Sequence, residues 1–137
     1  KAAGTAVKVR VENEGPSTVL YLPLTIDPKS PPIEMEVDTG SHDLVLDERF
    51  MSVLGIDPNA ASTRKVEGHD ETDNPYTRYN AALPRSLPVP TTPNVEATTG
   101  SAVVFQKIIH DGLVGHVFLS AHTVTFDVPD AQMIFAR

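Results

Sequence analysis

Asp38-Thr39-Gly40-Ser41 places a carboxylate, a hydroxyl, a glycine and a second hydroxyl in consecutive positions. A carboxylate takes a proton from water or gives one to a carbonyl oxygen, so the tetrad holds groups that hydrolysis needs. By composition alone a polar turn between two strands is the better reading. The 5 histidines are the other candidates. His42, His69 and His110 each precede an aspartate, and His110, His116 and His122 recur at a regular interval. No pair has the helical spacing of a zinc site, so surface or hydrogen-bonded histidines are expected, with no metal and no cofactor. The chain has no cysteine, which excludes disulfides, thiol catalysis and thiolate metal sites.

The elements that must position the tetrad are strands. "IEMEV" alternates, with Ile33, Met35 and Val37 on one face and Glu34 and Glu36 on the other, and it runs into Asp38. "DLVL" follows as a short strand. "DERFMSVLG" then reads as a short helix, with Asp47 as its N-cap and Gly55 as its stop. Upstream, "TAVKVRV" alternates with Val7, Val9 and Val11 on one face. "STVLYLPLTI" is β-branched and aromatic, and "DPKSPP" is turn chemistry. Residues 57–100 are polar, proline-bearing and loop-rich, with "VEGHDETDNPYTRY" (Val66 to Tyr79) as an extended, mobile hairpin. "LPVP" suits a short edge strand. "SAVVFQKII" is strand-like, "DGLVGHVFLSA" turns and crosses the core with a helical turn, and "HTVTFDV" and "AQMIFA" form a closing hairpin. The period-2 pattern predicts burial of Ile33, Met35, Val37, Leu44, Leu46, Val103, Phe105, Leu113, Val114, Phe118 and Phe126.

The 137 residues suit one domain, 1–137, with one core. Hydrophobic residues make up 40%, too many for a disordered chain. A net charge of −7 argues against nucleic acid or an anionic membrane as the main partner. No apolar run approaches the roughly 18 residues of a membrane helix. The chain opens at Lys1 without a methionine, as expected of a processed product or a cut piece. A leader upstream would suit a periplasmic or secreted protein; the lack of cysteine does not fix the compartment.

One further feature joins these elements. About seventy residues after the tetrad comes "DGLVG", two aliphatic residues and a glycine (Asp111 to Gly115). Together with "VDTGSHDLVL" and the "LGI" of Leu54 to Ile56, it resembles the retropepsin-like aspartic proteases, the retroviral proteases and their bacterial and cellular relatives. The resemblance runs from about Ser17 to Phe135 and is vague between Asp57 and Gly100, where the family's flap should lie. It implies a mainly β fold: one lobe of the acid protease fold, a closed β-barrel with one or two short helices. It also implies an aspartic endopeptidase acting on peptide or protein substrates.

Two carboxylates about 3 Å apart cannot both ionise, so they share one proton and activate water between them. This chain has one Asp-Thr-Gly, so the second copy must come from another chain in a homodimer with Asp38 on its two-fold axis. By the resemblance, Asp38, Thr39 and Gly40 are catalytic. Thr39 hydrogen-bonds across the dimer, and Gly40 lets backbone approach the carboxylates. Leu113, Val114 and Gly115 thread beneath the loop. Ser41, Gly68, His69, Tyr76 and Val114 are the candidate substrate contacts, and the terminal strands (Thr5 to Val11 or Thr123 to Ala136) the candidate dimer surface. Glu36 departs from the family, which has an apolar residue there. Two alternatives stay open: a non-catalytic retropepsin fold that binds peptide or supports assembly, and an unrelated β-sandwich interaction domain with Asp38 in an ordinary turn.

Overall fold

The computed structural model describes residues 4–136; residues 1–3 and 137, the outer ends of the expected domain, lie outside the described residues. Thirteen strands and two short helices follow in the order β1 (Thr5–Lys8), β2 (Arg10–Glu14), β3 (Ser17–Leu24), β4 (Ile33–Val37), β5 (Val45–Asp47), α1 (Phe50–Val53), β6 (Arg64–His69), β7 (Pro75–Ala82), β8 (Leu87–Val89), β9 (Thr92–Ala97), β10 (Ala102–Gln106), β11 (Gly112–Val114), α2 (His116–Leu119), β12 (Thr123–Asp127) and β13 (Gln132–Ala136). The fold is therefore mainly β, as the alternating pattern predicts.

Three ladders form: β2-β3-β4-β11-β5-β10-β7-β6, β1-β13-β12, and β8-β9. The expected closed barrel is, in its hydrogen bonding, an open eight-stranded sheet with β2 and β6 outermost, joined to two smaller sheets. Thr25 N–H donates to the Pro88 carbonyl at 2.7 Å, tying the end of β3 to β8. The single strand expected over "TAVKVRV" divides at Val9, whose N–H leaves the ladder for the Ala131 carbonyl at 3.0 Å. The chain thereby passes from one sheet to another while Val7 and Val9 keep their apolar face in the core.

The core is continuous from Val7 and Leu22 through Met35, Leu46 and Phe105 to Met133 and Phe135. Eight of the eleven expected core positions are buried there. Val37 is only partly buried at its edge, Leu113 is half-buried on the other face of β11, and Phe126 is exposed. The segment expected to be loop-rich, with a hairpin over Val66 to Tyr79 and an edge strand at "LPVP", holds four strands, β6 to β9, of which β9 was not expected. In β8 and β9, Leu87, Val89, Val95 and Ala97 point inward despite the flanking prolines.

Asp47 does not cap α1 as its N-cap residue; Arg49 stands there, without a side-chain cap. Asp47 instead ends β5, buried, and accepts the N–H groups of Arg49 at 3.2 Å and Ile108 at 3.0 Å. The helix stops as expected. Gly55 takes a left-handed φ of +70°, which lets its N–H reach Ser52 O at 3.2 Å and that of Ile56 reach Met51 O at 2.8 Å.

Candidate functional site

β11 is the element that builds the site. It runs between β4, its parallel neighbour, and β5, its antiparallel one, so the two strands that flank the Asp38 loop are joined only through it. Asp38 N–H donates to the Val114 carbonyl at 3.0 Å. Beyond β11 the backbone turns under the loop: His116 N–H donates to Ser41 O at 2.8 Å, and Val117 N–H to His42 O at 2.9 Å. Gly115 is required by this closeness, because a Cβ there would stand 2.4 Å from Ser41 O and 2.9 Å from Asp43 O. Gly112 is similar at the other end, with a Cβ falling 2.7 Å from Val45 O.

The loop itself is an aspartate turn. The Asp38 carboxylate accepts the Gly40 N–H at 3.0 Å, and the Asp38 carbonyl accepts the Ser41 N–H at 3.2 Å. Asp38 is half-buried and makes no ion pair among the described residues. Thr39 and Gly40 are exposed. Ser41 contributes backbone to the loop: its N–H to Asp38 and its carbonyl to His116.

Asp111, the first residue of the "DGLVG" stretch, braces the far end. Its carboxylate accepts the Glu34 N–H at 3.0 Å and bonds the Arg49 guanidinium, which also lies 3.0 Å from Asp47. Burial pushes the pKa of Asp47 up. The N–H groups of Ile108 and Arg49 and the Arg49 charge more than offset this, holding it below the usual carboxylate value. Glu36 is half-buried, its carboxylate 3.3 Å from His110 Nε2, so its departure from an apolar residue is accommodated by a polar partner.

β6 and β7 form a hairpin, one face of which borders a cavity together with the Asp38 loop. Its register opposes Gly68 to Tyr76 and His69 to Pro75. Opposed residues share a face and successive ones alternate, so Val66, Gly68, Tyr76, Arg78 and Asn80 share one face. A cavity of about 350 Å³ is bounded by Val66, Tyr76, Arg78 and Asn80 of that face, by Asp43 of the loop and by Val104 of β10. The Tyr76 ring lies directly over Gly68, where a Cβ would be 2.7 Å from its hydroxyl. The Arg78 guanidinium sits 5.4 Å from the centre of the same ring.

Of the candidate substrate contacts, the structure brings Tyr76 and Gly68 to this face. His69 belongs to the opposite one with Pro75. Val114 is fully buried beneath the loop, so its side chain supports the core and only its carbonyl serves the site. Asp43, Arg78 and Asn80 were not singled out by sequence reasoning. The signal was the alternation of Tyr76, Arg78 and Asn80, legible once the hairpin register is known. The hairpin tip is ordered by one side chain: Asp70 accepts the N–H groups of Thr72 and Asn74 at 2.9 Å each and the Thr72 hydroxyl at 2.7 Å. These bonds hold its pKa below the usual value.

A second cavity, about 320 Å³, opens at Thr39 and is bounded by α2, Val124 and Phe126. A third cavity, about 600 Å³, lies between Tyr79, Met51 of α1 and Ile108, and none of the Asp38 loop lines it.

No family model matches the sequence, and no curated protein does. Among solved structures, the chain is similar to a retropepsin-like aspartic protease from Rickettsia conorii, with a TM-score of 0.61 and 15% sequence identity over 98% of this chain and 100% of that one. At that identity the likeness is one of fold: the chain has the fold of a retropepsin-like aspartic protease.

Proposed function

We propose that this chain is one half of an aspartic endopeptidase, completed when a second copy brings its own Asp38 beside the first. The observation that carries this reading is the Asp38 loop. It presents a half-buried carboxylate with no ion pair, and β11 clamps it from beneath at Val114 and Gly115. A turn that only joined two strands would not need chain from so far downstream packed against its backbone.

In the completed site the two carboxylates share one proton. The ionised one takes a proton from water as the water oxygen attacks the peptide carbonyl carbon. The protonated one gives its proton to the carbonyl oxygen. Collapse of the tetrahedral adduct breaks the C–N bond as a proton passes to the leaving nitrogen. The substrate lies extended between the loop and the cleft face of β6–β7, hydrogen-bonded as an added strand. Gly68 leaves room there for Tyr76, and Asp43 and Arg78 offer opposite charges to substrate side chains.

The test is cleavage of a mixed peptide library by the wild-type chain and by Asp38→Asn, across pH and with a pepstatin-type inhibitor. Expected are a bell-shaped pH profile, inhibition, and loss of roughly 10³-fold or more in the variant, with the fold retained. Cleavage by Asp38→Asn at the wild-type rate would overturn the reading. Peptide binding without cleavage by the wild-type dimer would favour a non-catalytic role for the same cleft.

A further inference from the structure

The register carries one row of side chains across the eight-stranded sheet: Tyr21, Glu36, Leu113, Val45, Val104 and Asn80. Opposed residues share a face, and this is the face away from Leu22, Met35, Leu46 and Phe105 of the core. At one end the row enters the cavity of about 350 Å³ bordered by Tyr76, which Val104 and Asn80 also line. Towards the other end it comes to Asp38. The bond from Asp38 N–H to the Val114 carbonyl continues the β4–β11 ladder one residue beyond Val37. The alternation that puts Glu36 on this face therefore puts Asp38 there too. The row is aliphatic at Val104, Val45 and Leu113, all half-buried, and then meets a second carboxylate beside the reacting one.

The neighbouring acids are matched with arginines: Glu34 with Arg10, and Asp47 and Asp111 with Arg49. Glu36 is not. Its ion-pair partner among the described residues is His110, at 3.3 Å, which carries a charge only when protonated. His110 in turn stands edge-on to Tyr21, whose ring is covered by the Arg10 guanidinium at 4.1 Å. These rings wall off the row beyond Glu36, and 27% of the Glu36 side chain stays open to solvent.

We propose that Glu36 receives the side chain of the substrate residue next to the cleaved bond and selects lysine or arginine there. The aliphatic stem lies on Leu113 and Val45, and the cationic head bonds the Glu36 carboxylate. Alternate residues of a strand are about 7 Å apart, so a carbonyl held at Asp38 leaves the adjoining side chain within a lysine's reach of Glu36. Each copy brings one Glu36, so a basic residue is favoured on either side of the bond. The inference rests on the endopeptidase reading for the position of that bond.

The test uses a library of extended peptides in which only the central pair varies. Cleavage by the wild-type chain is compared with that by Glu36→Gln, which keeps the shape but not the charge, and by Glu36→Leu. Wild type should cut beside lysine or arginine, with kcat/KM at least about tenfold above that for norleucine at the same place. Both variants should lose this preference, and Glu36→Leu should gain on the norleucine peptide. His110→Ala should keep the preference. A uniform fall on every peptide in the Glu36 and His110 variants alike would show that the pair only braces the chain before β11, and would overturn the proposal. Wild-type cleavage indifferent to a basic residue would also overturn it, leaving the endopeptidase reading intact. Binding of the same peptides to Asp38→Asn, with and without Glu36→Gln, separates the two readings. Lysine-selective binding that Glu36→Gln removes, with no cleavage by wild type, would uphold the pocket and defeat the endopeptidase reading. Neither cleavage nor selective binding would overturn both.

Discussion

The Asp38 loop and the β6–β7 hairpin border the same cavity, yet they are held in opposite ways. The loop is bonded from below by chain that arrives much later in the sequence, through Val114, His116 and Val117, and has no room for one methyl group at Gly115. In the hairpin, β6 pairs with β7 alone, and none of its residues is buried. β10 supports β7 only from Arg78 to Ala82, leaving Pro75 to Thr77 and all of β6 without a second neighbour. The tip is tied to itself by Asp70 and to nothing else in the ladders. A reacting carboxylate benefits from a fixed position, whereas a cover must admit an extended substrate. If the hairpin opens, the end of β10 support at Arg78 is where it is expected to bend.

The strongest way to break the contrast is to loosen the loop. Gly115→Ala puts a Cβ against two carbonyl oxygens of backbone that cannot swing aside. A loss of about 3 kcal/mol or more is expected in denaturant melts, with peptidase activity falling alongside. A variant as stable as wild type would show the loop to be soft.

Asp47 should have the next largest effect, since it is buried and joins β5 to the β10–β11 connection. Asp47→Ala is expected to cost about 2 kcal/mol at neutral pH. Its pKa lies below that of an unfolded aspartate, so its contribution is whole above the unfolded value, about 3.9, and is lost as pH falls through the folded one. The gap between wild type and variant should therefore close in acid, and melts at neutral and strongly acid pH check this.

Hydrogen exchange sharpens the contrast without mutation. The Asp38, His116 and Val117 amides should exchange only with global unfolding, and those of Glu67 and Gly68 by local opening, orders of magnitude faster. The smallest effect is expected from Gly68→Ala. Its Cβ meets the end of the Tyr76 side chain, which can rotate away, so stability should change by less than about 0.5 kcal/mol. The displaced ring should raise KM for peptides while leaving kcat nearly unchanged.

The parts of the molecule legible in the sequence are those where one face meets the core. β4, β5 and β10 alternate cleanly, and Ile33, Met35, Leu46 and Phe105 are buried as that pattern predicts. "DGLVG" was read as a partner of Asp38 through its resemblance to the retropepsin-like motif, and the structure shows a close backbone contact at each glycine. Phe126 was assigned to the right face and the wrong environment, because alternation reports which way a side chain points and not how far the core extends. The hairpin residues 64–82 carry charges on both faces, so neither face declared itself, and His69 and Tyr76 were grouped although the register separates them. β8 was legible as the short edge strand at "LPVP", whereas β9, which carries Pro93, was not.

The insertion of β11 between β4 and β5 also sets when the site can exist. The bond from Glu34 to Asp111 spans 77 residues, and the Asp38 loop leans on the same late segment. During synthesis the first half of the chain emerges with its carboxylate turn unsupported, and β4 and β5 have no neighbour in common until residues 112–114 arrive. Closing so long a loop is slow compared with forming the hairpins on either side. A ribosome-bound or truncated chain lacking those residues is therefore expected to hold no ordered Asp38, and any hydrolytic capacity waits until residues 112–117 have been made.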